Sequence, residues 1–150
     1  MQEIEYKFLV DHDKWAKVVK PEPETIVQGF LVKSEDVVVR VRIKGAKGFI
    51  TIKGRTVGIT RTEFEYEIPL NEAEEMLDRL IEKKIIKKRY EIPYNGKIWE
   101  VDVFEGKLSG LILAELEVNN ESEVFDIPDW VTDDVSSDPK YYNAVLIDRC

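Results

Sequence analysis

Acidic and basic side chains recur at every second position in seven segments of this 150-residue chain. The first segment, Glu3-Ile4-Glu5-Tyr6-Lys7, alternates charged and apolar residues, so that in a strand its charged side chains share one face. Seven bases follow this spacing: Lys7, Arg40, Arg42, Lys53, Arg61, Lys87 and Arg89. Eight acids do the same: Glu3, Glu5, Glu63, Glu65, Glu100, Asp102, Glu115 and Glu117.

These residue types have a shared chemistry. Lysine and arginine donors suit phosphate oxygens, and arginine offers two parallel donors. Carboxylates that stand without histidine or cysteine suit hard cations such as Mg2+ or Mn2+. The combination therefore predicts a polyphosphate bound together with a divalent metal ion.

Eight β-strands are predicted to position these residues, because the alternation has the two-residue period of a strand. They cover residues 3–8, 26–33, 36–44, 49–54, 60–69, 85–93, 98–104 and 111–119. The second strand supplies no ionisable side chain to the charged face. The Asn95-Gly96 pair suits a two-residue hairpin between the sixth and seventh strands.

Helices are predicted at 11–20, 71–83 and 139–147, with a short helical turn near 122–125. Asn71 is a suitable N-cap for the second helix, and Glu74 follows three residues later as in a capping box. An apolar stripe runs along one side of this helix and predicts that it packs on the sheet. Asp138 and Pro139 are suited to begin the third helix.

Two orientations of such a sheet satisfy the alternation. In an ordinary barrel the apolar face points inward and the charged face is solvated, which leaves the helical stripe at 71–83 without an apolar surface to cover. With the apolar faces outward, the helices cover them and the charged faces line the interior. Charged side chains inside a barrel must be hydrated, paired with opposite charges or bound to a ligand. We therefore predict an α+β fold: an eight-stranded antiparallel closed β-barrel, or tunnel, with a charged interior and helices packed outside.

Composition limits the other function classes. The length suits a single domain spanning residues 1–150. The net charge of −8 argues against a broad nucleic-acid surface, and no apolar run is long enough to span a membrane. The N-terminus shows no secretory signal, which favours the cytoplasm. One cysteine and one histidine are too few for a zinc site, and neither a P-loop nor a dinucleotide-binding glycine motif is present.

The ordered series of motifs resembles the CYTH family, the triphosphate tunnel metalloenzymes. The N-terminal E-x-E-x-K of that family is matched by Glu3, Glu5 and Lys7. Further matches are Arg40 and Arg42 (R-x-R), Lys53, the R-x-E-x-E of Arg61, Glu63 and Glu65, the K-x-R of Lys87 and Arg89, Asp102, and the E-x-E of Glu115 and Glu117. The likeness extends from Met1 to about Asn143. Tyr6 stands where relatives often carry arginine, and Pro139 where they often carry another base.

The resemblance implies an inorganic triphosphatase of the small bacterial type, with tripolyphosphate or a nucleoside triphosphate as its small-molecule partner, Mg2+ or Mn2+ as cofactor, and neither nucleic acid nor membrane as a partner. The implied phosphate-binding residues are Lys7, Arg40, Arg42, Lys53, Arg61, Lys87 and Arg89. The implied metal ligands are Glu3, Glu5, Glu63, Glu65, Asp102, Glu115 and Glu117, where Glu63, Glu65 and Asp102 serve a second ion or orient the bases. The implied catalytic residues are Glu5, which helps to position the attacking water, and Lys7.

Other functions share these residues. An adenylate cyclase of the class IV type and a thiamine triphosphatase have the same fold and ionic positions. A non-catalytic polyphosphate- or nucleotide-binding protein would use the same bases. The resemblance favours hydrolysis of the terminal phosphoanhydride of inorganic triphosphate, and it indicates no particular oligomeric state.

Overall fold

Nine strands and three short α-helices account for the regular structure in a computed structural model that describes all 150 residues. The strands are β1 (Gln2–Val10), β2 (Glu24–Lys33), β3 (Val37–Lys44), β4 (Lys47–Gly54), β5 (Thr60–Ile68), β6 (Ile85–Tyr94), β7 (Lys97–Phe104), β8 (Ile112–Glu117) and β9 (Val131–Asp134). The helices are α1 (His12–Ala16), α2 (Leu70–Arg79) and α3 (Asn143–Leu146), with 3-10 turns at Gly106–Leu108, Pro139–Tyr141 and Ile147–Arg149.

Eight of the strands close into an antiparallel barrel. Their order is β5-β4-β3-β2-β6-β7-β8-β1, and a pairing between β1 and β5 closes the ring. The first strand has three partners along its length: Glu3 pairs with Arg61 of β5, and Lys7 with Glu115 of β8, while its last residues pair with β9. The predicted α+β barrel is confirmed. The ninth strand was not predicted, because its sequence has no alternation.

The charged faces point into the barrel, as predicted. Cross-strand partners share a face, and the register places Arg89 opposite Asp102 and Lys53 opposite Glu63. The outer faces of β1, β7 and β8 are apolar and are covered by α1 and by the chain that leads into β9. There Trp15, Trp99 and Trp130 pack together and are all buried.

The helix α2 covers the other side of the barrel. Its buried Ala73 and Leu77 pack with Val41 of β3. Gly48 of β4 allows the close approach, since a Cβ there would lie 2.7 Å from the Cβ of Ala73. None of the helices is long or apolar enough to cross a membrane.

The C-terminal segment lies across one end of the barrel. Leu146 and Ile147 are buried there against Ile85, Phe104 and Leu113, whose side chains face the interior in the strand register. The barrel interior is therefore apolar at this end and charged further in. This arrangement brings α3 and the turn before it close to the ionic side chains.

Several helix predictions require correction. Asn71 does not cap α2, which begins at Leu70 directly after β5, where the Pro69 carbonyl accepts hydrogen bonds from the amides of Glu72 and Ala73. No helix forms near 122–125, and the predicted helix 139–147 is interrupted at Tyr142. Asp138 does cap the turn that follows it, by accepting a hydrogen bond from the Lys140 amide.

Candidate active site

A cavity of about 650 Å³ occupies the charged part of the barrel and opens beside the C-terminal segment. Nine of the predicted site residues line it: Glu3, Glu5, Lys7, Arg40, Lys53, Arg61, Lys87, Arg89 and Glu115. The other five lie behind or beside its wall: Arg42, Glu63, Glu65, Asp102 and Glu117. The strands thus bring the bases of five segments to one space, as their parity predicts.

Asp102 anchors two of the bases. It is fully buried, and its carboxylate accepts from Lys87 Nζ at 2.7 Å and from Arg89 Nε and Nη2 at 2.8 and 2.9 Å. Burial alone would raise the pKa of Asp102, but the charges of Arg89 and Lys87 hold it below the usual value. Burial lowers the pKa of Lys87 to about 8, although Asp102 opposes this shift. With both oxygens occupied by cations, Asp102 is arranged to orient bases.

Glu65 plays the same part for the R-x-R pair. Its Oε2 lies 3.5 Å from Arg40 Nη2, 3.3 Å from Arg42 Nη2 and 2.8 Å from the hydroxyl of Thr51. Both arginines keep a buried Nε without a hydrogen-bond partner. Burial and the neighbouring charge of Arg42 lower the pKa of Arg40 to about 10. Arg40 lines the cavity, whereas Arg42 does not.

Lys53, on the neighbouring strand β4, contacts two acids. Its Nζ lies 3.0 Å from Glu3 Oε1 and 3.3 Å from Glu63 Oε2. Burial opposes ionisation of Glu3, but the charge of Lys53 and its hydrogen bond outweigh this and lower the pKa of Glu3. Burial raises the pKa of Glu63 despite Lys53, with Glu3 adding to the rise.

Glu5 and Glu115 form an acid pair that shares a hydrogen bond across neighbouring strands. Burial, the charge of Glu115 and this hydrogen bond raise the pKa of Glu5 well above its usual value. Burial would also raise the pKa of Glu115, but Lys7, the hydrogen bond from Glu5, Arg89 and Lys87 hold it well below the usual value. Glu5 therefore ionises less readily than Glu115.

Lys7 and Arg61 lie near the opening of the cavity. Lys7 donates from Nζ to the Tyr141 carbonyl at 3.1 Å, and its backbone amide donates to Ser136 Oγ at 2.8 Å. Arg61 donates from Nε to the Gly54 carbonyl at 2.8 Å. Glu117 is more exposed, and burial together with nearby Glu3 and Glu63 raises its pKa.

The sequence prediction missed the polar residues that contact the bases from other segments. Gln28 is fully buried on the inner face of β2, and Asn143 of α3 contacts both Gln28 and Lys87. Parity could have indicated Gln28, which lies in register with Arg42. No periodic signal marks Asn143 or Ser136, because neither lies in a strand.

The carboxylate donors match a hard divalent cation in type. No three of them are grouped closely enough to hold a metal ion in this arrangement of side chains. Glu3 and Glu63 are instead both paired with Lys53. The residues therefore fit a divalent metal by donor chemistry.

The closed barrel and its converging bases define an anion-binding tunnel. Residues 1–143 match the profile described as the CYTH domain, and the chain belongs to that family. It is 44% identical over 147 residues to an inorganic triphosphatase from Acetivibrio thermocellus, covering 97% of this chain and 93% of the relative. An inorganic triphosphatase from Nitrosomonas europaea is 33% identical over 155 residues, with 97% of each chain covered.

The fold has a solved counterpart. The crystal structure of the inorganic triphosphatase NE1496 superimposes with a TM-score of 0.67 at 30% identity, covering 97% of this chain and 93% of the other.

Proposed function

We propose that this protein hydrolyses the terminal phosphoanhydride of inorganic triphosphate with a divalent ion, Mg2+ or Mn2+. The observation that carries the proposal is the convergence of six bases on one cavity whose wall also holds Glu3, Glu5 and Glu115. The names of the two relatives support the same reaction. The cytoplasmic location and the single-domain organisation predicted from the sequence stay predictions.

The bases would bind and orient the phosphate chain. Lys87 and Arg89 are held rigidly by Asp102, so little side-chain freedom is lost when an anion binds between them. Arg40 lines the cavity and would donate from its guanidinium group to a phosphate oxygen. Such fixed donors, aimed where negative charge accumulates, are the main resource of enzymes that transfer phosphoryl groups.

The metal would be held by carboxylates that line or border the cavity. Glu3, Glu5 and Glu115 line it, and Glu63 lies beside Glu3. When bound, a divalent ion neutralises phosphate charge and polarises a phosphoryl oxygen. Glu65 and Asp102 are committed to bases by their contacts, so we assign them to orienting those bases.

Glu5 would accept the proton of the attacking water. In its ionised form the Glu5 carboxylate can accept a proton from the water whose oxygen attacks the terminal phosphorus. The bond between that phosphorus and the bridging oxygen breaks, and the products are phosphate and pyrophosphate. Lys7 and Arg89 would stabilise the charge on the departing pyrophosphate.

The direct test is to incubate the purified protein with tripolyphosphate and either Mg2+ or Mn2+ and to measure phosphate release. We expect release that stops when EDTA is added. Absence of release with every divalent ion, or release that persists in EDTA, would contradict the proposal.

A panel of substrates separates the related functions. Tripolyphosphate, longer polyphosphate, ATP and thiamine triphosphate are compared by kcat/KM, and ATP products are analysed for cyclic AMP. We expect tripolyphosphate to be preferred. Cyclic AMP formation would indicate a cyclase, and tight calorimetric binding without turnover would indicate a binding protein.

A further inference from the structure

Asn143, the first residue of α3, contacts the charged interior from outside the strands. Its Oδ1 accepts hydrogen bonds from Lys87 Nζ at 3.0 Å and from Gln28 Nε2 at 2.9 Å. The two donors come from adjacent strands, β6 and β2. Asn143 therefore connects the C-terminal segment to a buried base and to the polar inner side chain of β2.

The contacts determine which way the Asn143 amide points. A lysine ammonium can only donate, so the Asn143 atom facing Lys87 must be the oxygen. Gln28 must then present its own NH2 group to that oxygen, which leaves Gln28 Oε1 as the buried acceptor without a partner. If the oxygen and nitrogen of the Asn143 amide were exchanged, its NH2 group would face the Lys87 ammonium, and two donors would meet. The hydrogen bonds therefore exclude the exchanged orientation.

The nitrogen of Asn143 is left free by this arrangement. Its Nδ2 makes no hydrogen bond within the protein and is not among the buried polar atoms that lack a partner, so it is exposed, and Asn143 is one of the residues that line the cavity. It carries two N–H donors. They lie beside Lys87, in the space shared with Lys7 and Arg89.

We propose that Asn143 Nδ2 is a further substrate-binding donor, which hydrogen-bonds a phosphate oxygen and is held in orientation by Lys87 and Gln28. The inference rests on the proposed binding of triphosphate in this cavity. The ligand atom that Asn143 would bind is a phosphoryl oxygen next to Lys87. A neutral donor adds directional selectivity that the ammonium groups of the lysines do not provide.

The test measures tripolyphosphate binding by calorimetry in EDTA, together with Tm, for wild type, Asn143→Asp and Asn143→Ala. A carboxylate at position 143 still accepts from Lys87 and Gln28, so we expect Asn143→Asp to keep a Tm close to wild type. It loses the donor, and we expect its Kd to rise at least about 10-fold, as for loss of a hydrogen bond to a charged group. Asn143→Ala is expected to weaken binding and also to lower Tm.

Ala144→Asp is the matched control for charge. Ala144 also lines the cavity, so this variant adds a neighbouring carboxylate while Asn143 keeps its donor. We expect it to raise the Kd much less than Asn143→Asp does. Equal effects of the two aspartates, or wild-type Kd values for both Asn143 variants, would overturn the inference.

The same measurements distinguish a failure of this inference from a failure of the proposed function. If wild type binds tripolyphosphate but no divalent ion supports hydrolysis, the proposed hydrolysis fails while a raised Kd in Asn143→Asp still supports the donor role. If wild type hydrolyses tripolyphosphate and both Asn143 variants bind it normally, the donor role alone fails.

Discussion

The acidic residues on the inner face of the barrel differ in role, and each role follows from the side chains that the residue contacts. Asp102 accepts from two cations, whereas burial and the charge of Glu115 raise the pKa of Glu5. All of these acids lie at alternating strand positions, so the sequence predicted that they share the inner face of the barrel. It did not predict which side chain each acid contacts. The pairing of Asp102 and Glu65 with bases became visible only in the cross-strand distances.

Removal of Asp102 is predicted to destabilise the fold. Asp102→Ala leaves the buried Lys87 and Arg89 without their shared counter-ion, and we expect a loss of about 3–5 kcal/mol in the free energy of unfolding. Urea denaturation measures it. Glu67→Ala, at an exposed position whose ion pair with Lys47 spans 3.9 Å, is the control and should change stability little. Similar losses in the two variants would argue against a role for the buried pairing.

The raised pKa of Glu5 predicts a pH dependence of stability. A carboxyl group whose pKa is raised in the folded state contributes stability that is fully present below its unfolded value of about 4.5 and is lost as pH rises through the folded pKa. We therefore expect the Tm of metal-free wild type, measured relative to Glu5→Gln, to fall as pH rises above about 4.5. A difference in Tm that stays constant with pH would contradict the raised pKa of Glu5.

At the scale of elements, the apolar stripe of α2 was the most informative signal. The stripe needs an apolar outer surface of the barrel to pack against, and this requirement predicted that the apolar faces of the strands point outward. The start of the helix was mispredicted because Pro69 leads directly from β5 into it, which makes a side-chain cap at Asn71 unnecessary. The position of α3 across the barrel end depends on contacts between Asn143, Gln28 and Lys87, which are far apart in sequence, and no local pattern encodes it.

The contact of Gly48 with Ala73 gives a prediction at this scale. Gly48→Ala would bring two Cβ atoms to 2.7 Å, so we expect a loss of about 1–3 kcal/mol in the free energy of unfolding, measured in urea. The specific activity of folded protein should be retained, because the new methyl group lies outside the barrel. In Gly48→Ala/Ala73→Gly the clash is relieved, and the double variant should lose less than the sum of the two single losses. Strict additivity would contradict the contact.

At the scale of the whole molecule, the cavity is lined by bases from strands on opposite sides of the barrel. Lys7 lies on β1, Arg40 on β3, Lys53 on β4 and Lys87 on β6. An anion that contacts several of them stabilises the folded barrel, because the unfolded chain offers no such site. The family and fold were predictable at this scale because many weak alternations agree with one closed sheet.

Tripolyphosphate is therefore expected to raise the Tm of the metal-free protein. At a concentration of about 100 times its Kd the gain should be about 2.7 kcal/mol in the free energy of unfolding. Thermal denaturation in EDTA measures it, with NaCl at matched ionic strength as the control. An equal Tm rise in NaCl would mean that the effect is general screening rather than binding in the cavity.

The three partners of β1 also constrain the order of assembly during synthesis. Glu5 and Lys7 are translated long before Glu117 and Glu115, the residues of β8 with which they pair. Until β8 has been made, Glu5 and Lys7 lack these cross-strand partners. Because such non-local pairing is slow to form, we expect the catalytic space to be completed in a late step of folding, when β8 joins β1.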